Sequence, residues 1–141
     1  MECFTWIRIK ECRRCCASTR AILKGGAGIL KPETVALMGQ NHIGALNVQP
    51  MLSQNKEMSC DVDLFPDMAV KWGLTFLINT RDVPGRRSAG SLAWAGVRNT
   101  YYWIDPTKRV GGVFMTQVLP FADPTVLRVF ADFERAVYAA L

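Results

Sequence analysis

The stretch GSLAWAGVRNTYYWIDP at residues 90–106 decides the fold, because it contains two strand-like segments separated by a short turn. Small and apolar side chains fill residues 88–96, and aromatic and β-branched side chains fill residues 99–104. Both compositions are typical of β-strands. Asp105-Pro106 then ends the second strand with a turn sequence. Two strands so close in sequence predict an antiparallel pair.

Further strands flank this pair on both sides. Residues 71–80 (KWGLTFLINT) and residues 110–119 (VGGVFMTQVL) are rich in apolar and β-branched side chains. Residues 81–87 combine Asp, Pro and Gly, which favours a turn. The sequence therefore predicts an antiparallel meander of three or four strands.

Two helices are predicted around the sheet. Lys31-Pro32-Glu33-Thr34 opens the first, with proline in the first turn, and this helix should end by residues 41–44. Asp123-Pro124 caps the second, over residues 125–141, whose apolar side chains recur at three- and four-residue steps. The fold class is therefore α/β of the α+β type, an antiparallel β-sheet flanked by helices.

Composition and charge exclude several classes of protein. The chain has 141 residues, of which 50% are hydrophobic and 21% charged, so it is neither disordered nor low in complexity. It has no apolar run of 18 residues, so we expect no transmembrane helix and no membrane partner. The net charge is +5, but residues 1–24 alone carry six basic and two acidic side chains. The nearly neutral remainder argues against a nucleic-acid partner.

The first 21 residues differ from the rest in cysteine content as well. Four of the five cysteines lie within the first 16 residues, and Cys60 stands apart. An odd number of cysteines in a chain with ample apolar content favours reduced thiols and a cytoplasmic setting. Cys12 and Cys15 form one C-x-x-C pair, but zinc needs four ligands and the only histidine is His42. We therefore expect no metal, and we divide the chain into an unmatched basic, Cys-rich leader (1–21) and a main part (22–141).

Five segments occur in an order that resembles a known family. They are Leu30–Met38 (LKPETVALM), Trp72–Leu74 (WGL), Gly90–Gly96 (GSLAWAG), Thr100–Pro106 (TYYWIDP) and Met115–Gln117 (MTQ). Residues 22–141 thereby resemble the C-terminal part of the serine β-lactamase and penicillin-binding-protein-like hydrolases. The closest subgroup is the class C β-lactamase-like esterases, also called family VIII carboxylesterases. The resemblance implies a partial β-lactamase or transpeptidase-like fold and no cofactor.

The resemblance also implies where a substrate would bind. The family builds its site from a Ser-x-x-Lys, a Tyr-x-Asn and a Lys-Thr-Gly motif. Trp94, Ala95 and Gly96 match the third motif, and the next residue, Val97, would donate its N–H to an oxyanion. Tryptophan in place of lysine favours an uncharged, apolar ester or amide substrate. Without the resemblance, Trp94 is a packed strand aromatic and Gly96 a bulge or close-packing glycine.

The Ser-x-x-Lys and Tyr-x-Asn motifs, unlike the Lys-Thr-Gly motif, have no match at the expected place in the chain. No tyrosine is followed two residues later by asparagine, and the one Ser-x-x-Lys is Ser53–Lys56. It lies in an irregular polar loop over residues 45–69, on the wrong side of the predicted helix, which argues against catalysis by Ser53 and Lys56. His42 follows that helix and is interpreted as a capping or surface residue.

The sequence therefore predicts the rear part of a serine hydrolase that works through an acyl-serine intermediate, inactive on its own because two motifs are missing. One alternative is a non-enzymatic remnant or a partner subunit. Another is a small nucleic-acid or metal-binding protein acting through residues 1–24. The expected partners are a small-molecule ester or amide and, through an exposed sheet, a second copy of the chain.

Overall fold

A computed structural model describes residues 2–6 and 17–141, and it has an α+β fold with a six-stranded sheet. The helices are α1 (residues 17–23), α2 (Pro32–Met38) and α3 (Pro124–Ala139). The strands are β1 (Glu2–Trp6), β2 (Val70–Trp72), β3 (Leu77–Asn79), β4 (Leu92–Gly96), β5 (Thr100–Asp105) and β6 (Val110–Phe114).

The strands lie in the order β1-β6-β5-β4-β3-β2, and every pair from β2 to β6 is antiparallel. The predicted antiparallel sheet is thus confirmed, with β1 added in parallel to β6. At the centre, Trp103 of β5 pairs with Ala93 of β4 and with Gly112 of β6. A Cβ atom at Gly112 would lie 2.0 Å from the Trp103 ring, so only glycine leaves room for this buried indole.

The predicted strand over residues 71–80 is wrong, because this segment forms two strands joined by a tight turn. β2 and β3 pair with each other, Val70 with Asn79 and Trp72 with Leu77. The turn between them packs against the end of α2, where a Cβ atom at Gly73 would lie 2.2 Å from the Met38 carbonyl oxygen. Strand propensity alone did not predict this turn, because the segment is mostly apolar and β-branched on both sides of Gly73.

Two other strand predictions are too long. β4 begins at Leu92 rather than residue 88, and β6 ends at Phe114 rather than residue 119. After β6 the chain leaves the sheet, and the Thr116 hydroxyl donates to the Arg98 carbonyl oxygen at 2.7 Å. This side-chain hydrogen bond takes the place of the backbone hydrogen bonds between strands that a longer β6 would make. Strand propensity alone does not predict it.

Helix α3 covers one face of the sheet, as its apolar stripe predicts. The Asp123 carboxylate accepts hydrogen bonds from the N–H groups of Thr125 and Val126, which confirms the predicted cap. Phe130 is buried and stacks on Tyr101 with ring centroids 4.7 Å apart. The opposite face holds a second cluster of Phe76, Ile78, Leu92 and Ile104, against which side chains of α1 and α2 pack.

The boundary predicted at residue 21 falls within α1. Thr19 of this helix is buried, with 3% of its surface exposed, and β1 extends the sheet next to β6. The C-x-x-C pair of Cys12 and Cys15 lies outside the described residues. In the described part of the chain, no helix has both the length and the apolar character needed to span a bilayer.

Candidate functional site

The edge of β4 is open at residues 94–96, the segment that resembles the Lys-Thr-Gly motif. β4 pairs with β5 along its whole length, but with β3 only at Leu92 and Ala93. Residues 94–96 therefore have no strand on their β3 side within the ranges that the structure describes. Alternate residues of a strand direct their N–H and C=O groups to each side, so this edge offers free backbone donors and acceptors.

Val97 follows directly after this open edge. Its side chain is exposed, and its N–H meets no acceptor among the described residues. Gly96 pairs with Thr100, so residues 97–99 form a three-residue hairpin loop. Asn99 closes the loop with a φ of +59°, the left-handed conformation that such loops require at this position.

Asn99 holds this loop in place from inside the protein. Its side chain is fully buried, and its amide donates to the carbonyl oxygens of Val118 at 3.0 Å and Pro120 at 2.7 Å. The Tyr101 hydroxyl donates to the Asn99 Oδ1 at 2.7 Å. With every polar atom of the amide bonded, the network fixes the backbone from which the Val97 N–H projects. Sequence analysis missed Asn99, although asparagine between two strands is a signal for a left-handed turn.

Trp94 is half-buried at the open edge, and its indole meets that of Trp72 edge-on with centroids 4.6 Å apart. Both interpretations of Trp94 from the sequence are therefore compatible with its position: it packs as a strand aromatic, and it borders the open backbone. Its apolar surface gives the edge no cation for a charged substrate group.

Ser53 and Lys56 have no catalytic geometry within the described residues. No helix begins at Ser53, whose hydroxyl oxygen instead accepts a hydrogen bond from the Asn55 N–H at 3.2 Å. Lys56 pairs with Asp61 at 2.5 Å, and both side chains are largely exposed. The hydrogen bond from Lys56 is the main cause that lowers the pKa of Asp61. A lysine whose amino group is engaged by a carboxylate is not placed to take a proton from a serine.

His42 lies just beyond α2, where its interpretation as a cap places it. Its ring Nε2 is 2.8 Å from the Leu37 carbonyl oxygen, one of the last carbonyls of the helix. Within residues 2–6 and 17–141, no group of three or more His, Cys, Asp or Glu side chains could hold a metal ion.

A buried ion pair under α3 is the strongest charged feature that sequence analysis missed. Arg87 donates from Nε and Nη2 to the two Glu134 oxygens at 2.7 and 2.9 Å. Both side chains are almost completely buried, and the guanidinium also lies over the rings of Phe65 and Trp103. No local pattern connects residues 47 positions apart, so only the fold brings this pair together.

Asp105 anchors the turn that follows β5. Burial alone would raise the pKa of this carboxylate, but hydrogen bonds from the Lys108 and Ser88 N–H groups and from the Tyr138 hydroxyl lower it below the usual range. Burial in turn raises the pKa of Tyr138, and the Asp105 charge raises it further. These groups lie at the end of β5 opposite to the Val97 loop, so they stabilise the fold rather than a reacting group.

Comparison with curated proteins points to one group of enzymes. The chain is 30% identical over 114 residues to the acyltransferase calJ of Penicillium decumbens, covering 79% of this chain and 27% of that protein. It is 28% identical over 125 residues to a monacolin J acid methylbutanoyltransferase of Aspergillus terreus, covering 84% of this chain and 30% of that protein. No family model matches the chain.

Solved structures give the same result. Unliganded simvastatin synthase from Aspergillus terreus matches with a TM-score of 0.67 and 27% identity, over 87% of this chain and 33% of that one. A mutant of the same enzyme matches with a TM-score of 0.69 and 25% identity, over 87% and 32%. The chain therefore spans about a third or less of each relative, and it corresponds to their C-terminal part.

Proposed function

We propose, from the premise that this chain belongs to the serine β-lactamase and penicillin-binding-protein-like superfamily, that it supplies the oxyanion strand of a serine acyl-transfer site. The single observation behind the proposal is the open β4 edge, which ends in an unpaired Val97 N–H on a loop fixed by Asn99. A backbone donor held in place before the reaction is what a developing oxyanion needs.

The proposed reaction has two steps. A serine hydroxyl attacks the carbonyl carbon of an ester or amide while a general base takes its proton, and the carbonyl oxygen becomes an oxyanion. The Val97 N–H donates to that oxygen. The intermediate collapses, the protonated leaving group departs and an acyl-serine forms. An acceptor hydroxyl or water then attacks the acyl-serine, and the serine regains its proton.

The acceptor in the second step decides between transfer and hydrolysis. The relatives are named as acyltransferases, and some of them as methylbutanoyltransferases. We extend this to the present chain as transfer of a small, uncharged acyl group to a hydroxyl, with esterase-type hydrolysis as the competing outcome. The apolar surface of Trp94 beside the open edge favours such an acyl group.

The described residues hold no serine and lysine arranged for the first step, so we propose that the chain has no turnover alone. The nucleophile would come from a polypeptide equivalent to the part of the relatives that precedes the match. The alternative function is a non-enzymatic remnant, or a partner subunit without turnover, in a reducing, cytoplasmic setting. The salt bridge that occupies Lys56 favours this alternative over independent catalysis.

Complementation tests the proposal directly. The chain is mixed with the nucleophile-bearing front part of the acyltransferase calJ, and hydrolysis of a short-chain nitrophenyl ester and transfer to an added alcohol are measured. We expect turnover only in the mixture. Val97→Pro, which removes the N–H, should lower that turnover by about 10²–10³-fold, whereas Val97→Ala, which keeps it, should have little effect.

Other outcomes would overturn the proposal. If the mixture turns over equally with Val97→Pro and Val97→Ala, Val97 is not the donor. If the chain alone turns over ester and Ser53→Ala abolishes that turnover, the motif at Ser53 and Lys56 is catalytic and the division of roles is wrong. If the mixture gives no turnover, the non-enzymatic alternative is favoured.

A further inference from the structure

A cavity of about 240 Å³ lies on the face of the sheet that α3 covers. Its apolar walls come from three separate elements: Phe65 from the loop before β2, Tyr101 from β5, and Leu127, Phe130 and Ala131 from α3. At about 30 Å³ per water molecule, it could hold a ligand of about eight non-hydrogen atoms.

The cavity also contains a largely buried cation that is incompletely paired. Arg86 and Arg87 both line the cavity, and among the described residues one buried carboxylate, Glu134, pairs with them. Arg87 takes both oxygens of Glu134, while the Arg86 Nη1 remains 3.4 Å from Oε2, beyond the usual hydrogen-bond range. The Arg86 side chain is only 23% exposed, so this cation is largely withdrawn from water with one long contact to an acidic group.

One further acidic residue borders the cavity. Asp63 is exposed at the rim, and its Oδ1 accepts a hydrogen bond from the Phe65 N–H at 3.1 Å. Because its carboxylate faces solvent, its charge is more strongly screened than that of a buried group. The screened Asp63 carboxylate therefore offsets the charge of the largely buried Arg86 less than a buried carboxylate would.

We infer that this cavity binds a small carboxylate with an apolar body. The carboxylate would accept two parallel hydrogen bonds from the Arg86 guanidinium, the geometry in which arginine binds carboxylates most strongly. The apolar part would pack between Phe65, Tyr101 and Phe130. This site goes beyond the proposed acyl transfer: Trp94 borders the cavity as well as the open β4 edge, but Val97 does not line it.

Ligand-observed NMR on the full chain tests the inference with hexanoate, a carboxylate of about the right size, and 1-hexanol, its neutral analogue. We expect saturable line broadening of hexanoate. Arg86→Gln should weaken hexanoate binding about tenfold or more and 1-hexanol binding by no more than about twofold, because only the charge-assisted contact is lost. Arg128→Gln, which changes an exposed arginine of α3 that does not line the cavity, should change neither.

Substitutions that fill the cavity provide a second, independent test. Ala131→Leu should abolish binding of both hexanoate and 1-hexanol. If Ala131→Leu does not fold, Leu127→Phe replaces it, because Leu127 lies in another part of the cavity wall. The inference is overturned if hexanoate does not saturate, if Arg86→Gln weakens both probes equally, or if the folded filling variant still binds hexanoate. Val97→Pro should leave hexanoate binding unchanged, whether or not the proposed acyl transfer holds.

Discussion

At the residue scale, the Arg87–Glu134 pair has a large predicted effect on stability. Arg87→Met would leave the buried Glu134 carboxylate with only the long Arg86 contact, so we expect the free energy of unfolding to fall by about 3–5 kcal/mol. Replacing both residues, as Arg87→Met with Glu134→Leu, should recover much of that loss. Urea unfolding followed by circular dichroism measures both variants.

The matched control is the exposed pair of Arg135 and Asp132, which lies on α3 like Glu134. Arg135→Met should cost about 0–1 kcal/mol, because solvent screens both charges. If Arg87→Met costs no more than Arg135→Met, the buried pair does not carry the stability that its position indicates.

Asp105 predicts how the protein responds to acid. Its pKa is lower in the folded chain than in the unfolded chain, so its contribution is complete above the unfolded value of about 3.9 and is lost as the pH falls through the folded value. Asp105→Asn should lower stability at pH 7 and flatten the dependence of unfolding free energy on pH below about 5. Urea unfolding at pH 3 to 7 measures this, and an unchanged slope would contradict it.

At the element scale, the β2–β3 turn depends on glycine at position 73. Gly73→Ala would push a Cβ atom against the Met38 carbonyl oxygen at the end of α2, so we expect a loss of about 1–3 kcal/mol and a lower Tm. Gly39 ends the same helix, but its added Cβ atom would meet nothing closer than 3.5 Å. Thermal melting should therefore show little change for Gly39→Ala, and similar melts for the two variants would refute the steric explanation.

The elements differ in how far sequence could predict them. Helix α3 was predictable because its cap and apolar stripe are local signals, and the β4–β5 pair because its two strands lie next to each other in sequence. The turn at Gly73 and the end of β6 after Phe114 depend on contacts with other parts of the chain. The same holds for the candidate site: Trp94 to Val97 were found through a resemblance, but the support from Asn99 needs the carbonyl groups of Val118 and Pro120, which only folding brings near.

At the scale of the whole molecule, the first 20 residues are the first test. If residues 1–21 were only an unmatched leader, they should be dispensable. The structure instead pairs β1 with β6 and buries Thr19, so we now expect deletion of residues 1–20 to lower Tm by several degrees. Differential scanning calorimetry of the full and shortened chains decides between these outcomes. Metal analysis of the full chain would show whether Cys12 and Cys15 bind zinc.

We still expect self-association, but through exposed apolar side chains outside the sheet rather than through the sheet itself. Most of the apolar side chains of β3 and β6 are buried, whereas Ile29, Leu46 and Leu52 are each more than two-thirds exposed. Large exposed apolar side chains promote association. Ile29→Lys combined with Leu46→Lys should therefore shift the chain toward monomer in size-exclusion chromatography with light scattering. Self-association would be excluded if the wild-type chain were already a monomer and bound no dye that is specific for exposed apolar surface.

The link between Arg87 and Glu134 also sets an order of events during synthesis. Arg87 precedes its buried partner by 47 residues, and Glu134 lies in α3, which follows β6 in the chain. A growing chain can assemble the β2–β6 hairpins while Arg87 is still hydrated, but it cannot bury the guanidinium favourably until the final turns of α3 have emerged from the ribosome. Nascent chains that stop before Glu134 should therefore remain accessible to chaperones and proteases, although they already contain every strand of the sheet.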